Sequence, residues 1–402
     1  MTLRPSRRRP SLRVLLIAAL GAGVLVAASL LSGATLVVGA TPTAAPTTAP
    51  HSGKVPVFAY YYIWFTPASW ERAKIDLPLL GKYTSDDPAV IAKHVEWAKS
   101  AGIDGFIVSW KHQPRLDRPL QLLVQEAEKR NFKLILLYQG LDVDRNPIDP
   151  NQVSTDIQWF SQNYGSNPVF NVFGKPAVVW SGTWKFTDQQ IATVRSQIDA
   201  PNKLLLLGSE RSNVDYQARA SVLDGDAYYW SSADPLNTPG YPRRIEDLGA
   251  AIAADHGLWI APIVPGFDAR LLGGTTVVDR RGGATYRASW KAASDTQPSA
   301  LGIISWNEFS ENSHIEPSSS NALFYLDATR SLIGATPEPA PSATPGKSVD
   351  PGSLGPGDSS ELPPAQSGIE EKLSLAAGIA LLVGLTVIML RMRRRSARDM
   401  GE

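Results

Sequence analysis

Apolar and aromatic runs of strand length recur through the middle of the chain, at residues 55–65, 102–110, 132–139, 176–181, 203–209, 226–231, 258–264 and 301–306. Between them, apolar residues return every three or four positions over 88–100, 116–130, 153–164, 187–198, 242–256, 286–294 and 321–332, the period of a helix with one buried face. Only the connection around 215–223 has a weak helical pattern. Asp87-Pro88 and Tyr241-Pro242 read as helix starts, since proline's fixed φ and missing N–H cost nothing in a first turn. The strand-like runs are continuously apolar, as strands covered on both faces must be, and their alternation with helices predicts a parallel sheet. Eight such units over about 280 residues predict an α/β fold, a (β/α)8 TIM barrel, whose usual size is about 250 residues. A doubly wound open sheet is disfavoured because no Gly-rich phosphate loop follows the first strand.

The flanks have a different pattern. Residues 14–40 carry no charge and follow Arg4, Arg7, Arg8, Arg9 and Arg13, so residues 1–40 read as a signal peptide or signal anchor, with 41–54 as a linker to the domain at 55–334. Residues 335–372 form a Pro-rich linker with eight prolines among Ser, Gly, Ala and Thr, a composition that cannot build a core and extends instead. Residues 373–390 are an uncharged run of 18, near the minimum for a transmembrane helix, and 391–402 a basic tail. The positive-inside rule places both basic flanks in the cytoplasm, so the expectation is a cell-membrane protein whose central domain is extracellular.

Charge sharpens this layout. The whole chain has 39 Lys and Arg against 38 Asp and Glu; without the ten terminal Arg and the two acids of the tail, 29 bases face 36 acids. A central region acidic by seven is a poor polyanion binder, and no nucleic-acid partner is expected. The absence of Cys excludes disulfides, thiolate metal sites and Cys nucleophiles.

In a barrel of this kind the chemistry sits at the carboxyl ends of the strands. Trp64, Trp110, Trp180, Trp230 and Trp306 fall at or just past five of those ends, with Tyr60, Tyr61, Tyr62, Tyr228 and Tyr229 beside them. Indole and phenol rings offer flat apolar platforms to the C–H faces of sugars and a polar edge for hydrogen bonds. The competing reading is that large aromatics at strand ends simply cap the core. After the eighth strand comes the densest polar stretch of the domain, which carries Glu308 and Glu311. Glycosidic cleavage needs one carboxyl group to protonate the leaving oxygen and another to assist at the sugar, and a partly dry aromatic setting raises one pKa enough to keep that acid protonated. The bland alternative is a solvated loop, or carboxylates satisfied by Arg270, Arg280 or Arg281.

The run Trp306-Asn307-Glu308-Phe309-Ser310-Glu311-Asn312-Ser313-His314-Ile315-Glu316-Pro317 resembles the Trp-Asn-Glu-x-x-Glu-x-x-x-Ile-Glu-Pro motif of glycoside hydrolase family 99, the endo-α-mannosidases and endo-α-mannanases related to the family 71 α-1,3-glucanases. Tyr60-Tyr61-Tyr62-Ile63-Trp64-Phe65, the stretch from Tyr83 to Ile91, the stretch from His94 to Phe106, Pro265-Gly266-Phe267-Asp268 and Arg280-Arg281-Gly282-Gly283 continue the likeness in order along the barrel. The resemblance implies a retaining hydrolase that works through a 1,2-anhydro sugar, with Glu308 as base on the 2-hydroxyl, Glu311 as acid and then base, and Glu316 in a structural or orienting role. Substrate contacts are expected from Tyr62, Trp64, Trp110, Gln139, Tyr229, Trp230, Arg270, Trp306, Asn307 and Glu316. The chain departs from the family pattern at Ile63, where Pro is usual, at Gln139, where Glu is usual after the third strand, and at Ser310, where His is usual. These departures bear on specificity more than on hydrolysis. An α-1,3-glucanase-like enzyme and a non-catalytic surface carbohydrate-binding protein remain the alternatives.

Other signals are weaker. The five His never take metal-ligand spacing, so no metal or other cofactor is expected, and His94 within the first helix reads as a buried structural residue. Asp104, at the start of a strand, reads as structural, and Gly273-Gly274 and Gly282-Gly283 bracket an apolar ribbon expected to form a hairpin. No Ser lies in a Gly-x-Ser-x-Gly context.

Overall fold

The computed structural model describes residues 54–142, 144–198 and 203–334. The strands in chain order are β1 (Val57–Tyr62), β2 (Gly105–Trp110), β3 (Lys133–Gln139), β4 (Ala177–Ser181), β5 (Leu205–Gly208), β6 (Gly225–Ala227), β7 (Leu258–Ile263), β8 (Phe267–Asp268), β9 (Val277–Val278) and β10 (Ala300–Ile303). Strands β1 to β7 and β10 form a closed parallel barrel, β10 returning to β1 through Val57↔Leu301, Phe58↔Gly302 and Ala59↔Ile303. Strands β8 and β9 are the expected hairpin, a separate antiparallel ribbon on the connection between β7 and the last barrel strand. The helices are α1 (Pro88–Ser100), α2 (Pro114–Arg130), α3 (Pro150–Tyr164), α4 (Asp188–Gln197), α5 (Asn213–Gln217), α6 (Tyr241–Ala254), α7 (Ala284–Asp295) and α8 (Phe324–Ile333). The weak segment near 215–223 becomes the short α5, and β6 is three residues long where six were expected.

Local chemistry places these ends. Asp87 accepts from the backbone N–H groups of Ala89 and Val90 and Pro88 opens α1, while Thr187 and Gln190 form a reciprocal capping box on α4. Asn131 stops α2 in the left-handed region at φ 48°. At the amino-terminal end of the barrel the carboxylate of Asp104 accepts the Val57 N–H at 2.8 Å, a structural role as expected.

Side chains of a strand alternate between its two faces, and this sorts the aromatic residues. Phe58, Tyr60, Ile107, Ile135, Leu137, Val179, Leu207 and Ile260 fill the barrel interior. Their sequence neighbours, among them Tyr61, Phe106, Trp110, Tyr138 and Trp180, pack outward against the helices. Gly140 makes room for Trp180, whose indole occupies the place a Cβ would take.

The expected segments 1–40, 335–372, 373–390 and 391–402, and all of the 41–54 linker but its last residue, lie outside the described residues. Among the described residues no helix is long and apolar enough to cross a membrane.

Candidate active site

The acidic loop leaves β10 at the carboxyl-terminal mouth and is tied down at both ends. Trp306 N–H donates to the Tyr60 carbonyl at 2.8 Å and Glu316 N–H to the Trp306 carbonyl at 2.8 Å. Asn307 extends the β1 pairing with its side chain: its Oδ1 accepts from Tyr62 N–H at 2.8 Å and its Nδ2 donates to the Tyr62 carbonyl at 2.9 Å. The amide thus imitates a strand neighbour and fixes Tyr62 against the loop. Arg280 donates to the carbonyls of Asn312 and His314 at 2.9 and 2.8 Å, and the Asp268 N–H donates to the Glu311 carbonyl at 2.7 Å. From the other side His314 stacks on Phe309 at 4.0 Å and bonds Asp76 at 3.1 Å. Burial drives the His314 pKa down to about 4, so the imidazole is neutral near pH 7.

Within this frame Glu308 is 6% exposed and Glu311 half-buried. The Glu308 Oε1 accepts the Ser310 N–H at 2.9 Å, and the Glu308 N–H is held by Ser305 Oγ at 2.9 Å. Both carboxyls are held well above the ordinary carboxylate range. Burial is the main cause for each, reinforced at Glu308 by the neighbouring Glu311 charge and opposed at Glu311 by Arg145. Two acids with raised, interacting pKa values titrate as a pair and retain a proton where isolated carboxylates have lost theirs. The three Arg proposed to neutralise them are committed elsewhere: Arg270 to Asp268, Arg281 to Asp234, and Arg280 to backbone carbonyls.

Tyr62 and Tyr229 face the pair. Their hydroxyls are hydrogen-bonded to each other, and burial, followed by the charges of each other and the two Glu, keeps the Tyr62 phenol protonated. Tyr229 is likewise raised by burial and by Glu311. Tyr62 stacks on Trp64 at 4.5 Å, and Tyr60 on Tyr229 at 4.8 Å. Gln139 ends β3 on the inward face and donates to Ser109 Oγ at 2.8 Å. Trp64 and Trp230 are half-buried at the mouth, where they were expected.

Four expected substrate contacts are placed differently. Trp110 and Trp306 are fully buried in the layer between sheet and helices, so neither can be a sugar platform. For Trp110 the cause is strand parity, which puts it on the face opposite Ser109, and its indole N–H donates to Asp117 at 2.9 Å. Asn307 is fully buried in its backbone bonds. Glu316 is 1% exposed and accepts from Tyr83 at 2.8 Å, with His94 at 3.0 Å, while His94 in turn bonds Tyr61 at 3.0 Å. Asn307 and Glu316 therefore brace the loop rather than touch a ligand. Arg270 projects from the β8–β9 ribbon, its side chain 65% exposed, held by Asp268.

Arg145, Trp184 and Arg211 went unnoticed in the sequence, yet all lie on loops at this mouth. The only signal that could have found them was position, since each follows a barrel strand within a few residues.

The raised carboxyl pair has a stability consequence. A carboxyl whose folded pKa lies above its unfolded value binds extra protons in the native state, so stability falls as pH rises from about 4.3 through the folded value. Glu308→Gln removes that penalty. It is expected to gain about 1–2 kcal/mol over wild type at pH 8 and little at pH 4, read from melting curves at the two pH values. A variant less stable than wild type at pH 8 would contradict the burial argument.

Residues 73–331 match the family model described as glycosyl hydrolase family 99. The chain is 24% identical over 281 residues to the glycoprotein endo-alpha-1,2-mannosidase of Mus musculus and 23% identical over 278 residues to that of Rattus norvegicus. Each match takes in 62% of this chain and 59% of the relative, so the chain spans well under two thirds of their length. Among solved structures, the GH99 endo-alpha-mannosidase from Bacteroides thetaiotaomicron in complex with BIS-TRIS-Propane superposes with a TM-score of 0.62 at 23% identity, covering 69% of this chain and 96% of that one. At that identity the likeness is one of fold.

Proposed function

Because the chain belongs to glycosyl hydrolase family 99, we propose that it hydrolyses α-linked, mannose-containing glycans, with Glu308 and Glu311 carrying the proton transfers. The observation that carries this reading is a pair of acids, raised in pKa by burial, at the barrel mouth beside Tyr62 and Tyr229. Both mammalian relatives are named as endo-alpha-1,2-mannosidases, which makes α-mannosides the first substrates to offer.

The chemistry follows from what the two acids can hold. With one proton between them, the ionised member takes the proton of the sugar 2-hydroxyl as that oxygen attacks C1, and the protonated member gives its proton to the departing glycosidic oxygen. The Ser310 N–H occupies one Glu308 oxygen and leaves the second for the sugar. The role of base comes from the family motif, because in the free protein burial and the Glu311 charge raise Glu308 further than Glu311, whose rise Arg145 opposes. Glu311 is then the acid. In the second half Glu311 takes a proton from water as it opens the 1,2-anhydro ring at C1, and Glu308 returns its proton to O2. Two inversions at C1 retain the configuration. The axial 2-hydroxyl of mannose has the geometry for this attack.

The same reading places the enzyme at the cell surface. The support is the uncharged run 373–390 with its basic flank and the Pro-rich stretch 335–366, able to reach about 100 Å if fully extended.

The test offers the full-length protein α-mannans and α-glucans, follows product size by chromatography and records the first-formed anomer by NMR. Release of α-configured oligosaccharides from mannan is expected. Cleavage of α-glucan alone would keep the residues and change the sugar, and binding without cleavage would favour a surface carbohydrate-binding protein.

A further inference from the structure

Three consecutive loops at the carboxyl-terminal mouth carry an arrangement that cleavage of a neutral glycan does not require. Trp184 follows β4, Arg211 follows β5 and Trp230 follows β6. The Arg211 guanidinium lies 3.5 Å from the centre of the Trp184 ring and 4.5 Å from that of Trp230, the two rings being 6.1 Å apart. Lys185 adds its ammonium 5.3 Å from the Trp184 ring. A fourth loop, after β3, holds Arg145 in a turn fastened by Asp142, whose carboxylate accepts from the Asn146 N–H at 2.7 Å. Arg145 and Arg211 lie within each other's field, and Arg145 also within that of Glu311.

Like charges gathered together repel, and the free protein bears that cost, eased at Arg211 by the fields of Asp215 and Glu210 and at Arg145 by that of Glu311. Among the described residues neither guanidinium has a hydrogen bond or a salt bridge to a carboxylate. Of the nearest acids, Glu210 is paired with Arg219, and Asp215, bonded to the Ser212 hydroxyl at 2.8 Å, acts on Arg211 through its field without direct contact. Stacking of solvent-exposed cations on these half-buried indoles returns only about 0.5–1 kcal/mol per cation. These cations also stand out in a central region where acids outnumber bases by 36 to 29. In the barrel ring β4 lies directly across from β10, so this cluster faces the Glu308–Glu311 loop from the opposite wall. A glycan with its scissile bond at the acids would run its neighbouring sugar over these indoles.

We propose that Lys185 and Arg211, set over the indoles of Trp184 and Trp230, and Arg145 on the adjoining loop form a subsite for a sugar bearing an anionic substituent, so that the preferred substrate is a negatively charged glycan. The proposal rests on the glycan-hydrolase reading for its orientation. Indoles stack the ring, and the guanidinium forks meet a phosphate or carboxylate in bidentate geometry. The shared chemistry is an oxyanion on the sugar, whether phosphate ester or uronic acid.

The experiment uses the full-length chain carrying Glu311→Gln, so that binding is read without turnover. Neutral, 6-phosphorylated and uronate-containing α-manno-oligosaccharides of equal length are titrated by calorimetry at low and high salt. At low salt the charged ligands are expected to bind about tenfold more tightly than the neutral one, with phosphate above carboxylate if the site takes the dianion. Both salt and the exposed-side-chain variant Arg145→Gln/Arg211→Gln should erase the ratio. Equal binding of charged and neutral ligands, no binding of any charged ligand, or a preference that survives the double substitution would overturn the subsite. Wild-type hydrolysis of neutral mannan, assayed in parallel, reports on the enzymatic reading separately: charged-ligand preference without any hydrolysis keeps the subsite and removes the enzyme.

Discussion

Glu311→Gln is expected to keep the fold and lose glycan hydrolysis by about 1,000-fold, equivalent to about 4 kcal/mol of transition-state stabilisation. The amide has the shape of the carboxyl group but no proton to give, so the leaving alkoxide must depart uncatalysed. Glu308→Gln should fall at least as far, because nothing then takes the 2-hydroxyl proton. The two variants separate on a substrate with a good leaving group. An aryl glycoside whose phenol departs without protonation should restore much of the first step to Glu311→Gln and none to Glu308→Gln. The double variant should be little worse than either single one, since the pair acts as a unit. Near-wild-type hydrolysis by both single variants would remove them from the chemistry, and equal rescue of both would reverse or blur their roles. The field around them gives the reason to expect a large effect: burial raises both, Arg145 opposes this only in part at Glu311, and Arg270, Arg280 and Arg281 bind other partners.

The second large effect lies outside the cleft. Trp110→Ala is expected to cost about 3–5 kcal/mol of stability, the range for emptying a large aromatic site in a packed core, with the lost indole hydrogen bond to Asp117 included. The indole is fully buried, 5.8 Å from Trp159 ring to ring. Trp64→Ala should do the reverse. That ring is half-buried beside Tyr62, so its removal should weaken substrate affinity with little loss of stability. Denaturant midpoints and KM for the two variants make the comparison. A Trp110→Ala chain that keeps its midpoint but binds glycan poorly would return this indole to the cleft.

The error corrected at Trp110 is instructive because the information was present in the sequence. Tryptophans near strand ends suggested platforms, yet a strand's alternation lets only every second residue face the barrel axis. Ser109 and Gln139 were the inward positions, and Trp110 and Tyr138 were their outward neighbours. Counting parity back from an inward residue needs the register, and the register is set by pairing between strands far apart in the chain. Asn307 and Glu316 fail as substrate contacts for another reason, although the bonds of Glu316 fit the structural or orienting role its place in the motif implies. Their polar side chains looked free in a loop sequence, whereas folding delivers Tyr62, Tyr83 and His94, more than 200 residues away, to satisfy them.

Sequence alone determined the rhythm of the barrel, the helix starts at Asp87-Pro88 and Tyr241-Pro242, the likeness around Glu308 and Glu311, and the acidic balance of the region between the tails. Those features are local, set by hydrophobic period, by caps within a few residues, or by composition. Tertiary structure alone decided which aromatics reach the cleft, how strongly the two acids hold their protons, and that Arg145 and Arg211 share a mouth with them. These depend on distance and dielectric between residues remote in sequence, and barrel closure brings such residues together without leaving a mark at any one of them.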